Sequence, residues 1–212
     1  MGLIDWFRSF FKDDKVQEPQ MDIPHQNTST QINIQPPNIK ADKEKIKYDV
    51  PEKFAQFGVE KLIEHEGFRL DPYTDTQGFV TGGIGHKFTK ADFMNFDPSW
   101  EREQKEKYWK DRFEEDLERA ELHAIKLATK HGIDTTPENM YVLTDMTFNL
   151  GTAGVSKFKN FLTDLSKGDV DGAIKEMKYT DKESGVHSKW YKQVPNRVDS
   201  LAEILRSSNE SS

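Results

Sequence analysis

Residues 63–86, IEHEGFRLDPYTDTQGFVTGGIGH, gather the groups best suited to chemistry. Glu66 closes an apolar-periodic segment. Asp75, Thr81 and His86 follow within a glycine-rich stretch. Two carboxylates on different elements, with a hydroxyl near one of them, can line a cleft that cuts a glycosidic bond. One must stay protonated to serve the leaving oxygen; the other directs water to the opposite face of the sugar. Leu62, Phe68 and Tyr73 around Glu66 would favour its protonated form. Taken singly, each group has an ordinary role: a surface glutamate, a turn aspartate, a strand threonine, a structural histidine. With no cysteine and no second clustered histidine, no metal site and no cofactor is expected. Gly82-Gly83-Ile84-Gly85 lacks the Lys-Ser/Thr of a phosphate loop and the spacing of a dinucleotide fold.

The elements that must hold these residues read clearly. A helix beginning near Pro51, with Phe54, Phe57, Leu62 and Ile63 on its apolar side, delivers Glu66, and Gly67 terminates it. A small antiparallel ribbon follows, turning first at Thr76-Gln77-Gly78. A long helix is predicted from Asp97-Pro98 to Gly132, with Trp100, Tyr108, Phe113, Leu117, Ala120, Ala124 and Ala128 as its stripe. Another runs from Thr136-Pro137 to Gly151. Residues 155–167 and 169–178 make two more, and a last one begins near Pro195. The fold class is α+β, with a small β-ribbon lobe and a larger helical lobe joined by the long helix.

Composition narrows the function. The net charge of −7 leaves no basic surplus for phosphates, so no nucleic acid partner is expected. No apolar run approaches a membrane span, and the N-terminus lacks a signal-peptide pattern. Absent cysteine excludes disulfides and thiolate chemistry. With 34% hydrophobic and 32% charged residues, part of the chain is expected outside the core. Residues 1–12, MGLIDWFRSFFK, have the spacing of an amphipathic docking helix. Their mixed charge suits a protein partner better than an anionic bilayer. Residues 13–50, with Pro19, Pro24, Pro36 and Pro37 among polar residues, read as a flexible linker. Residues 51–212 form the globular domain.

The spacing Glu66, eight residues, Asp75, five residues, Thr81 resembles the catalytic triad of the phage-type lysozymes, the family of the T-even phage lysozyme and the lambdoid endolysin muramidases. The surrounding Glu66-Gly67, Leu70, Tyr73, Gly78, Gly83, Gly85 and His86 fit the same pattern. So do FNLGTAGVSKFKNF (148–161) and KWYKQVPNRV (189–198), and the likeness spans roughly residues 52–206. The resemblance implies a lysozyme-like two-lobe fold and a peptidoglycan muramidase acting on the β-1,4 bond after N-acetylmuramic acid. By it, Glu66 is the general acid, and Asp75 holds the attacking water with help from Thr81. Arg197 pairs with Glu66, His86 forms a structural ion pair with Asp116, and Phe148 and Asn149 contact sugar. A water between Asp75 and the sugar implies inversion, which needs carboxyls about 6.5–9.5 Å apart. The sequence departs from the T-even pattern at His65, where that enzyme has an acidic residue, in a shorter stretch between Thr89 and Asp116, and in its acidic surface. An apolar N-terminal helix on a tether suits an enzyme held in a phage virion through a phage structural protein. A free endolysin made in the host cytoplasm, or a wall-binding module without turnover, are the alternatives. In each case the wall would be met in the periplasm.

Overall fold

The computed structural model describes residues 61–75, 78–181 and 183–207. The docking helix, the linker, the start of the first helix and the turn residues Thr76 and Gln77 lie outside them. Residues 61–66 are helical, bury Leu62 and Ile63, and stop at Gly67. There φ is +70°, and the Gly67 N–H donates to the Ile63 carbonyl at 2.8 Å. A positive φ is open to glycine without the Cβ clash that other residues meet.

Three antiparallel strands follow: β1 (Arg69–Thr74), β2 (Val80–Gly83) and β3 (His86–Lys87), in that order across the sheet. Thr81 faces Tyr73 on one side and Lys87 on the other. The sheet packs on α2 (Arg102–His131), whose Trp109 is fully buried against the ribbon. A Cβ on Gly82 would fall 2.4 Å from that indole, and one on Gly83 2.8 Å. The paired glycines are therefore where the ribbon lies flat on Trp109. The indole N–H donates to the Leu70 carbonyl at 2.6 Å and ties β1 to the same helix. Phe88, Phe96, Trp100 and Tyr108 complete an aromatic cluster around it, with ring centroids 5.1–5.8 Å apart.

A short helix that the sequence did not suggest, α1 (Lys90–Asn95), joins the ribbon to α2. Thr89 and Asp92 start it with a reciprocal capping box. The long helix begins at Arg102 rather than Asp97. The Asp97 side chain is engaged by the N–H and hydroxyl of Ser99, which makes a turn, and Glu101 with Gln104 forms the cap instead. Its 30 residues run about 45 Å and end at Gly132. Tyr108 was placed in the buried stripe, yet Trp109 takes that position, and Leu117 is only half-buried.

The rest is helical. α3 (Pro137–Val155) starts from a Thr136 cap and is broken at Gly151, where φ is +68° and ψ 163°. The expected stop at Gly151 is thus a kink followed by one more turn. α4 (Lys159–Ser166) begins later than residue 155 because Ser156, Lys157 and Phe158 complete that turn. α5 (Val170–Lys178) is capped by Asp169. A small hairpin of β4 (Tyr179–Asp181) and β5 (Val186–His187) leads to α6 (Lys189–Gln193) and α7 (Pro195–Ser207). The second half of α2 joins α3, α4, α5 and α7 around Val142, Leu143, Met146, Phe161, Leu162 and Leu201. The molecule is a mixed α+β fold in which helices predominate. Among the described residues no helix is long and apolar enough to cross a membrane.

Candidate active site

Glu66 stands at the end of the first helix, with its side chain 16% exposed. Three elements converge on it. From α7, Arg197 Nη1 donates to Glu66 Oε1 at 2.6 Å. From α3, Asn149 Nδ2 reaches the same oxygen at 3.5 Å. The turn between β2 and β3 presents Gly85, where φ is +69° and a Cβ would sit 2.8 Å from Glu66 Oε2. Glycine at 85 lets the ribbon backbone close on the carboxyl. Asn149 is itself oriented by Trp190, whose indole N–H donates to its Oδ1 at 2.9 Å. The FNLG and KWY segments thus meet beside Glu66.

Asp75 terminates the ribbon's first strand. Its N–H donates to the Phe79 carbonyl at 2.8 Å, and its Oδ1 accepts the Phe79 N–H at 2.9 Å. The Lys87 ammonium lies 3.9 Å from Oδ2. Thr81 is buried, and its hydroxyl donates to the Phe79 carbonyl at 3.3 Å. Asp75 and Thr81 are both anchored on the Phe79 main chain, which fixes them relative to each other on one strip of ribbon. Phe148 is half-buried beside Phe113, ring centroids 5.8 Å apart.

His86 and Asp116 are brought together, Nδ1 to Oδ2 at 2.5 Å. A third member was not foreseen. Asp92, buried on α1, lies 3.0 Å from His86 Nε2 and also accepts from the Thr89 hydroxyl and the Tyr108 phenol. Burial opposes the imidazolium, but the bonds and charges of Asp116 and Asp92 outweigh it and raise the His86 pKa to about 9. Burial likewise opposes an ionised Asp92. The donors His86, Thr89 and Tyr108 outweigh it and hold that carboxyl well below the usual range.

Asp145 was also missed. It is fully buried on α3 and accepts Arg197 Nε at 2.6 Å. Its other oxygen lies 3.1 Å from His65 Nδ1 and 3.5 Å from the Tyr141 hydroxyl. A charged residue inside the buried run 140–147 was the available signal, since a carboxylate there needs a cationic partner. Desolvation works against the Arg197 charge, but Asp145 and Glu66 outweigh it and raise its pKa. Among the described residues no group of three or more His, Asp and Glu side chains is arranged to hold a metal ion.

The fold and the site together define a small α+β domain with carboxylates on two elements, one of them gripped by a buried arginine. Residues 63–197 match the model of the Phage lysozyme family, and the chain belongs to that family. It is similar to the pre-baseplate central spike protein Gp5 of Enterobacteria phage T4, with 29% identity over 168 residues. It is also similar to the peptidoglycan hydrolase gp36 of Pseudomonas phage phiKMV, with 28% identity over 142 residues. These matches cover 71% and 66% of this chain but only 28% and 14% of the two relatives.

Proposed function

We propose that this protein is a phage muramidase that hydrolyses the β-1,4 bond between N-acetylmuramic acid and N-acetylglucosamine in bacterial peptidoglycan. The observation that carries this reading is the grip on Glu66. A carboxyl at a helix end, held on one oxygen by Arg197 and Asn149, faces a ribbon that bears Asp75 and Thr81. Family membership supports it, as does the likeness to the peptidoglycan hydrolase of phage phiKMV.

In this mechanism Glu66 gives its proton to the glycosidic oxygen as the C1–O bond breaks. Asp75 takes a proton from a water on the opposite face of the sugar, the Thr81 hydroxyl helps hold that water, and the configuration at C1 inverts. The Phe79 N–H and the Lys87 ammonium steady the Asp75 carboxylate for this task. Phe148 and Asn149 contact the sugar. Arg197 supports the acid, and the His86–Asp116 pair serves structure. The ribbon side and the helical side act as two lobes about the cleft, joined by α2.

Residues 51–212 would be the catalytic domain, residues 13–50 a tether and residues 1–12 a docking helix for a phage structural protein. The likeness to a spike protein supports a virion-held enzyme that opens the wall locally. Release of reducing ends from purified Gram-negative peptidoglycan tests the chemistry. Wild type is expected to release them, with inverted configuration, and Glu66→Gln to do so at least ~10²-fold more slowly. Binding without reducing ends would make the protein a wall-binding module. Copurification with phage particles, lost on deletion of residues 1–12, tests the placement. Finding the protein only free in the lysate would favour an endolysin.

A further inference from the structure

Arg197 could grip Glu66 in two ways. A guanidinium free to turn pairs with a carboxylate through two parallel N–H bonds, which engages both oxygens and favours the ionised form. Here only Nη1 reaches Glu66, and it reaches Oε1. The reason lies on the other side of the arginine. Nε donates to Asp145 Oδ1 at 2.6 Å, and Nη2 points to the Asp145 main-chain carbonyl at 3.5 Å. Asp145 therefore takes one edge of the planar fork with both its side chain and its backbone. It is itself fixed: fully buried, with His65 Nδ1 and the Tyr141 hydroxyl on its second oxygen. Burial and the Asp145 charge push the Tyr141 phenol upward, so it remains a donor.

We infer that Asp145 is a positioning residue for the acid: it restricts Arg197 to a single N–H on Glu66 Oε1 and leaves Oε2, beside Gly85, to carry the catalytic proton. This rests on the muramidase reading. Its charge acts in the same sense as its geometry. Arg197 from α7, Asn149 from α3 and the Gly85 backbone from the ribbon face Glu66; behind Arg197 stands Asp145, with His65 and Tyr141 on its second oxygen and the Glu64 charge acting on Tyr141. Asp145 is the second carboxylate bonded directly to Arg197, and it offsets the field that the guanidinium exerts on the acid.

The experiment is the pH profile of kcat/KM, with kcat and KM at pH 7, for full-length wild type, Asp145→Asn, Arg197→Gln and the double variant on solubilised peptidoglycan glycan strands. Asp145→Asn frees the guanidinium to take both oxygens. Its alkaline limb is expected to move to lower pH, and its kcat to fall roughly 10- to 100-fold with KM within about twofold. Arg197→Gln is expected to move the limb the other way. Because Asp145 positions the acid through Arg197, adding Asp145→Asn to Arg197→Gln should change kcat less than about twofold. An Asp145→Asn profile that superimposes on wild type overturns the inference. So does a double variant whose kcat falls below that of Arg197→Gln as far as Asp145→Asn falls below wild type. If Asp145→Asn fails to melt cooperatively, the second comparison decides alone, because the double variant removes both buried charges together. Glu66→Gln in the same assay separates the two readings. An active wild type silenced by Glu66→Gln, with Asp145→Asn unchanged, sinks only the role of Asp145. An inactive wild type sinks both.

Discussion

Two buried cations in this molecule are each flanked by two carboxylates, and they differ in where the cluster ends. His86 lies between Asp116 and Asp92, and the cluster closes on itself through Thr89 and Tyr108 beside the aromatic packing of α2. Arg197 lies between Asp145 and Glu66, and its outer member is a carboxyl that remains partly exposed. The first is closed at both ends by protein donors, Arg119 on Asp116 and Thr89 and Tyr108 on Asp92, and suits stability. The second has an inner half of the same kind, and an outer half in which Arg197 and Asn149 both hold Glu66 through Oε1. A buried charge broken on one side costs several kcal/mol, whereas a charge at the rim of a cleft can be removed with little loss of fold.

The comparison breaks most visibly at Glu66. Glu66→Gln is expected to slow reducing-end release by 10²–10⁴-fold while the thermal midpoint holds or rises. A variant that unfolds would show the outer half to be structural as well. The mirror case is Asp92→Asn. It should lose about 3–5 kcal/mol in urea unfolding yet keep the wild-type rate per folded molecule. A large fall in kcat without destabilisation would erase the distinction between the clusters.

A smaller effect separates them by pH. Folding raises the His86 pKa from 6.5 to about 9. Its contribution to stability is therefore complete below pH 6.5 and lost as pH climbs through 9, about 3 kcal/mol in all. Urea midpoints should fall across that window in wild type and stay flat in His86→Asn. Asp92 works at the other end. Its depressed pKa stabilises above pH 3.8 and is lost as pH falls below it. Arg197, its pKa raised by Asp145 and Glu66, stays charged across both windows. The smallest effect concerns salt. With a net charge of −7, long-range attraction to an anionic wall is absent. Activity is expected to change less than about tenfold between low and physiological ionic strength. A steep loss would point to a local basic surface that steers the substrate.

Much of the layout was legible because a few residue types have narrow uses. Gly67 ends a helix, Thr136-Pro137 starts one, and Gly82, Gly83 and Gly85 mark a ribbon under close approach. What those glycines approach was not legible. Tyr108 and Trp109 are adjacent in a charged helix, and only tertiary packing decides which ring faces the sheet. Asp97-Pro98 has the form of a cap, but Ser99 two residues on competes for the aspartate and turns the chain instead. The β4–β5 hairpin carries its turn in Gly185 at φ +68°, in a segment too short and polar to register as strands. Asp145 and Asp92 were hidden because sequence does not say which acid goes inside. Their partners lie 52 and 6 residues away, on other elements.

The pair formed by Glu66 and Arg197 spans 131 residues of chain. A ribosome must therefore synthesise α7 before the carboxyl near the start of the domain receives its arginine. Loop closure over that span is among the last contacts open to the folding chain. A polypeptide that stops between β3 and α7 carries Glu66 and the ribbon without Arg197. On the proposed mechanism, a chain that stops short of α7 is expected to release no reducing ends.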